Sequence, residues 1–267
     1  MNKDLIAYYI ENMASKEFIQ ALFLKYGIPY RKSYSYHKHT KAFLDSSINV
    51  DPKDFASMCR QTWHSSPIDY HKNNLTSGKL LGHNWHNSRP SQLHLSLQDK
   101  VRNCIATNGE IDDLWEIAID IMKQEYFIVA THDICESLII NDFVDTLPPT
   151  RNKSISDFIF KSIPYDLKVS TYPDLWTKGP CRTTKDRTEL AMSLLNNADT
   201  LRIRKQAKNT HKGWGNNRFY IIVSSQDKWF SNTEYVLKEI KNKIHKLGQP
   251  IKITIGQDSL LVQIVEI

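Results

Sequence analysis

Cysteine is scarce in this chain. Four residues in 267, Cys59, Cys104, Cys135 and Cys181, sit at long irregular spacings with no CxxC pair. That pattern implies neither a zinc site nor a disulfide framework, and it suits a reducing compartment. Long apolar runs are missing too. The longest apolar region, Tyr126 to Ile140, is broken by His132, Asp133 and Glu136, short of the roughly 18–20 apolar residues of a membrane span. The opening MNKDLIAYYIENMASKEF is amphipathic and lacks the apolar core of a signal peptide. The expectation is a soluble, cytoplasmic protein that does not engage a membrane. Neither GxxxxGK[ST] nor GxGxxG occurs, which leaves an ATP-driven or dinucleotide-dependent enzyme without support.

Acid is locally absent where base is plentiful. The chain carries a net charge of +6 and a pI of about 9.0, a balance that fits a polyanionic partner. Residues 30–42, YRKSYSYHKHTKA, contain no acid and interleave Tyr30, Tyr34 and Tyr36 with Arg31, Lys32, Lys38 and Lys41. Tyrosines between cations suit nucleic acid, and equally they anchor a loop to a core through their rings. Leu201 to Arg218 is the second acid-free stretch, with Arg202, Arg204, Lys205, Lys208, Lys212 and Arg218. It reads as a basic loop of the kind that meets phosphates, or simply as a solvated surface.

Periodicity divides the chain in two. Helical spacing dominates up to residue 145: a helix or helix pair over 4–25, a short helix at 52–63 with Asp51 as cap and Pro52 in the first position, another over 96–107, and a long one from 111 to about 145 stopped by Pro148 and Pro149. Residues 64–95 read as a long loop region, and His83-Asn84-Trp85-His86-Asn87 within it lacks the partners of an HNH nuclease. From Ser154 the pattern becomes β-β-α-β-α-β-β: strands Ser154–Phe160 and Ile163–Thr171 about a Lys161-Ser162 turn, a helix over 185–198, a strand in Arg218–Ser225, a helix over 231–247 closed by Gly248, and two final strands about a Gly256–Ser259 turn. The fold class is therefore α/β or α+β, with a central mixed sheet flanked by helices. Residues 1–110 form a mainly helical part suited to recognition or dimerisation, and 111–267 the core.

The segment that carries chemistry runs from Asp157 through Asp166-Leu167-Lys168. An acid-x-Lys triplet is weak by itself, and Asp51-Pro-Lys53 and Glu239-Ile-Lys241 are two more. Only Asp166 and Lys168 fall in a strand, where alternation puts both on one face. The plain explanation is an exposed edge; the sharper one is a metal or phosphate site. Asp157 lies nine residues earlier, across a tight turn. Antiparallel pairing brings it near Asp166, and two converging carboxylates repel unless a cation lies between them. Such an oxygen set suits Mg²⁺. His132 and Cys135 lie together in a helix with no base positioned for a Cys/His nucleophile.

Asp157 with Asp166-Leu-Lys168 resembles the signature of PD-(D/E)xK nucleases of the restriction-endonuclease type, with Ser156 where proline ordinarily precedes the first aspartate. The resemblance covers about residues 111–225 and implies an αβββαβ core. It implies that Asp157 and Asp166 bind Mg²⁺, with Mn²⁺ as a substitute, and that Lys168 lies beside the attacking water. An acid on the preceding helix joins the metal in some members; Glu136 is the candidate here, with Asp133 as its alternative. Double-stranded DNA would be the substrate of a homodimeric type II restriction enzyme, with Arg202, Arg204, Lys205, Lys208, Lys212, Arg218, Arg31 and Lys32 on DNA. A structure-specific repair or phage-defence nuclease and a non-catalytic nucleic-acid-binding protein are the other readings.

Overall fold

A computed structural model describes residues 2–61, 102–107, 111–151, 154–195, 197–208 and 211–267. The expected loop at 64–95, the histidine cluster within it and the start of the helix expected at 96–107 lie outside these residues. The chain forms two compact units, Met1–His64 with Leu138–Ile267, and Ser65–Ser137. The sequence-based division at residue 110 thus differs from the observed one, because the N-terminal helices share a core with the sheet.

Helices α1 (Lys3–Asn12), α2 (Lys16–Lys25), α3 (Tyr36–Asp45) and α4 (Pro52–Gln61) open the first unit. Each begins where a side chain takes up free backbone N–H groups. Asn2, Ser15 and Ser35 cap the first three. Asp51 Oδ1 accepts from the N–H groups of Lys53 and Asp54 at 2.8 and 3.0 Å ahead of α4, as expected from sequence. The helices bury Tyr9, Phe18, Phe23, Phe43 and Phe55 in one cluster that also takes in Leu147 and Ile159 of the sheet. The tyrosines of 30–42 anchor the segment: Tyr30 stacks on buried His39 with ring centroids 4.9 Å apart.

Helix α5 (Ile111–Asp142) crosses from the second unit into the first. A helix's last carbonyls need partners from outside its own ladder. Arg60 of α4 supplies one, donating to Ile140 O at 3.2 Å and to Phe143 O and Thr146 O at 2.8 Å.

Strands β1 (Thr146–Leu147), β2 (Phe158–Phe160), β3 (Ile163–Ser170), β4 (Arg218–Ile222), β5 (Ile251–Ile255) and β6 (Asp258–Glu266) form one mixed sheet in the order β1-β2-β3-β4-β6-β5. The β1/β2, β2/β3 and β5/β6 pairs are antiparallel; β3/β4 and β4/β6 are parallel. β2 is shorter than its expected span because Ile155 N–H is taken by Asn12 O of α1 and the Ser154 hydroxyl by Ser156 O. Lys161 and Ser162 form the β2–β3 turn with φ of 48° and 67°, the left-handed pair that a two-residue hairpin demands.

Between β3 and β4 come α6 (Thr184–Leu194), α7 (Asn197–Ala207) and a 3-10 turn, His211–Asn216. This corrects the basic loop expected from Leu201 onward: much of it is helix, with Ile203 buried against the sheet. Leu190, Ala191, Leu195 and Ile203 cover one sheet face, meeting Tyr220, Ile222, Ile253, Leu260, Val262 and Ile264. After β4 come α8 (Gln226–Ser231), which the periodicity did not suggest, and α9 (Thr233–His245), with Val236, Ile240 and Ile244 buried.

Candidate active site

The register of β2 on β3 pairs Phe158 with Tyr165. One step further, Asp157 falls opposite Asp166. Asp157 N–H donates to Tyr165 O at 2.9 Å, and the Asp157 carboxylate accepts Leu167 N–H at 2.6 Å. Asp157 is therefore held by the backbone of the strand that carries Asp166. Asp166 and Lys168 share one face, and the Lys168 ammonium lies 2.9 Å from Asp166 Oδ1 and 2.8 Å from Oδ2. The three residues singled out from the sequence are thus brought together where the sheet changes from antiparallel to parallel pairing.

A fourth residue joins them. Arg218 opens β4 in Cα register with Asp166. Its Nε lies 3.3 Å from Asp166 Oδ2. Both residues are buried, Asp166 to 4% exposure and Arg218 to 0%. Arg218 therefore has no surface to offer DNA, which corrects its assignment to the phosphate-contacting set: a strand interior shields it and a carboxylate takes its charge. Its Nη1 donates to Asn216 O and Asn217 O at 3.2 and 3.4 Å, whereas Nε and Nη2 make no hydrogen bond.

Arg202 approaches from α7, with Nη2 3.8 Å from Asp166 Oδ1 and its side chain 52% exposed. Arg204, Lys205 and Lys208 are exposed, as are Arg31 and Lys32 ahead of α3. Lys212 lies in the 3-10 turn, and its side chain is outside the described residues.

Helix α1 also reaches the site. The Tyr8 hydroxyl and Ser156 Oγ are 2.6 Å apart, both buried. Burial pushes the Tyr8 phenol well above its ordinary value, and the nearby charges of Asp166 and Asp157 push the same way. Tyr8 is thus a permanent hydroxyl beside two carboxylates. Ser156, which directly precedes Asp157, is what it binds.

Glu136 belongs to the second unit, on α5 with His132 and Asp133; one ligand atom from each lies within 4.8 Å of the others. His132 Nδ1 is 3.4 Å from Asp133 Oδ1 and 3.9 Å from Glu136 Oε2. Sequence reading took the two acids as alternatives; their spacing with His132 makes them one set. Cys135 beside them is buried, which raises its thiol well above the usual range and leaves it a poor nucleophile.

Asp157 and Asp166 each offer a carboxylate, the donor type that a hard divalent cation takes. Asp166 Oδ2 is buried, lies within ion-pair distance of Lys168 and Arg218, and accepts a hydrogen bond from neither. An oxygen in that state is one a hard cation can use. Two features could have flagged Arg218 in the sequence: it is the lone charge of an otherwise apolar RFYII strand, and it stands at the strand's first position.

No protein-family model, curated protein or solved structure matches this chain. Among the described residues, no helix is long and apolar enough to cross a membrane.

Proposed function

We propose that this chain is an Mg²⁺-dependent endonuclease of the PD-(D/E)xK type that hydrolyses double-stranded DNA, in its simplest form a homodimeric type II restriction enzyme. The observation that carries the reading is the convergence of Asp157, Asp166 and Lys168 at one point of the sheet. The order α5-β1-β2-β3-α6-α7-β4, which reads as αβββαβ with one helix added before the last strand, supports it.

Hydrolysis adds one water across a P–O bond. The water oxygen bonds to phosphorus and gives up a proton, and the leaving sugar oxygen takes one up. Asp157 and Asp166 would hold the cation, which supplies a more acidic water and balances charge on the phosphate oxygens. Lys168 sits on the same strand face, where its ammonium orients the attacking water and stabilises charge growing on phosphorus. Arg202, Arg204, Lys205 and Lys208, exposed on and after α7, supply cations for the flanking phosphates.

One observation favours a second reading, a nucleic-acid-binding protein without catalysis: Lys168 and Arg218 already balance the charge of Asp166. Plasmid and phage DNA incubated with Mg²⁺ or EDTA, beside Asp166→Ala, separate the readings. Discrete metal-dependent fragments lost in the variant support the restriction enzyme. Smears or nicks lost in the variant point to a structure-specific repair or phage-defence nuclease. DNA binding without cutting under any condition, undiminished by EDTA, overturns catalysis.

A further inference from the structure

Arg218 is the anomaly of the site. A guanidinium keeps its proton at any ordinary pH, and burying it is costly unless it is paired and hydrogen-bonded. Here it is fully buried, and two of its three nitrogens make no hydrogen bond. Its ion-pair partner is Asp166. Lys168 holds the same carboxylate, with Nζ 2.8 Å from the same Oδ2, but its side chain is 29% exposed. A lysine on a flexible stem can swing toward water when another cation arrives. Arg218 cannot, because the strand and the carbonyls of Asn216 and Asn217 enclose it. The Asp166 carboxylate therefore faces one fixed and two movable cations, Arg202 being the second movable one.

We infer that Arg218 is a positioning residue that fixes the Asp166 carboxylate and, through an immovable positive charge, sets how weakly the site takes a divalent cation. This rests on the reading of Asp157 and Asp166 as the metal ligands. It has a consequence for order of binding. A site so balanced holds a metal poorly alone and better once an anionic phosphodiester offsets the cations, so metal and substrate favour each other's binding.

The test uses Mn²⁺ alone, titrated into the full chain and followed by electron paramagnetic resonance, with no DNA present. Arg218→Met keeps much of the side-chain length and removes the charge. It should bind Mn²⁺ more tightly than the natural chain, by about tenfold or more, the order one unit charge a few ångströms away exerts on a divalent ion. A purely structural role predicts the opposite sign, since a misplaced Asp166 binds less. Equal or weaker binding by a folded Arg218→Met overturns the inference. Arg218→Lys and Lys168→Met keep it testable if the first variant does not fold. Both should stay within about threefold of the natural chain, because Arg218→Lys keeps the buried charge and Lys168, part-exposed, already swings away when a divalent cation arrives. About tenfold tightening in Lys168→Met would hand control to Lys168 and overturn the inference, and the same in Arg218→Lys would show that the charge is not the cause. The nuclease reading stands or falls separately, on cleavage. Tightened Mn²⁺ binding without any DNA cutting would sink that reading and leave Arg218 in its role.

Discussion

Strands β3 and β4 carry two faces built on opposite rules. One face presents Tyr165 and Phe219, whose rings meet edge to face at 5.5 Å, with Phe158 and Phe160 closing on Phe219 at 5.6 and 5.9 Å. The other presents Asp166 level with Arg218 and Lys168 level with Tyr220, and turns apolar at Tyr220 and Ile222. A single residue step along the strand exchanges a dry aromatic stack for a charged cluster. The charged cluster is confined to one face, at the end where Arg218 opens β4, while the rest of that face is packed under α6 and α7.

The comparison can be broken most severely by Lys168→Ala. Cleavage should fall by about a thousandfold, on the scale of losing one charge-stabilising donor. The denaturation midpoint should move less than in Arg218→Met, because Lys168 is part-exposed whereas Arg218 is fully buried. Equal losses of activity and stability would mean that the faces are not separable. Phe219→Ala should do the reverse and cost about 3–5 kcal/mol of folding free energy through the cavity it leaves, read by urea unfolding. Arg218→Met should cost less, about 1–3 kcal/mol, because it removes the buried partner of Asp166 while Lys168 still pairs with that carboxylate. Pairing it with Asp166→Leu should recover most of that loss, and strict additivity of the two would refute a direct ion pair.

A smaller effect concerns Tyr8. Its folded phenol titrates well above the ordinary value of 10.0. Below that value both states are neutral and stability is unaffected; above it the unfolded chain ionises while the folded chain resists, so stability falls as pH rises. Tyr8→Phe should flatten part of that alkaline loss in unfolding curves taken between about pH 9 and 11. Smallest of all, Ser156→Ala should cost about 1 kcal/mol, one hydrogen bond to the Tyr8 hydroxyl.

How far the sequence was legible follows from the range of the forces involved. Asp157, Asp166 and Lys168 were readable because strand alternation and a tight turn are local rules, and the β2–β3 register obeys them. The Asp51 cap and the Gly256 turn were readable for the same reason; Gly256 sits at φ 64°. The short β1 was not, since two residues carry no period. Helix α7 was hidden by its own cations: the buried apolar position named on it, Ile203, stands between Arg202 and Arg204. Arg218 and Tyr8 were misread or missed because their partners lie far off in sequence, Asp166 in one case and Ser156 in the other.

Asn217, just ahead of β4, closes the sheet in an unusual manner. Its amide nitrogen donates to Pro164 O at 3.0 Å and its amide oxygen accepts Leu261 N–H at 2.8 Å, so one side chain laces β3 to β6 where no strand lies between them. Behind that lacing lies a hollow of about 290 Å³ bordered by Pro164, Trp214 and Leu261. The side chain works like the slider of a zip, marking where β3 and β6 part company and β4 begins to hold them together. Aspartate at 217 could still accept from Leu261 but would set a negative charge against Pro164 O. The seam would then open from that end, and the amide of Leu261 would become the first in the sheet to trade its hydrogen for deuterium.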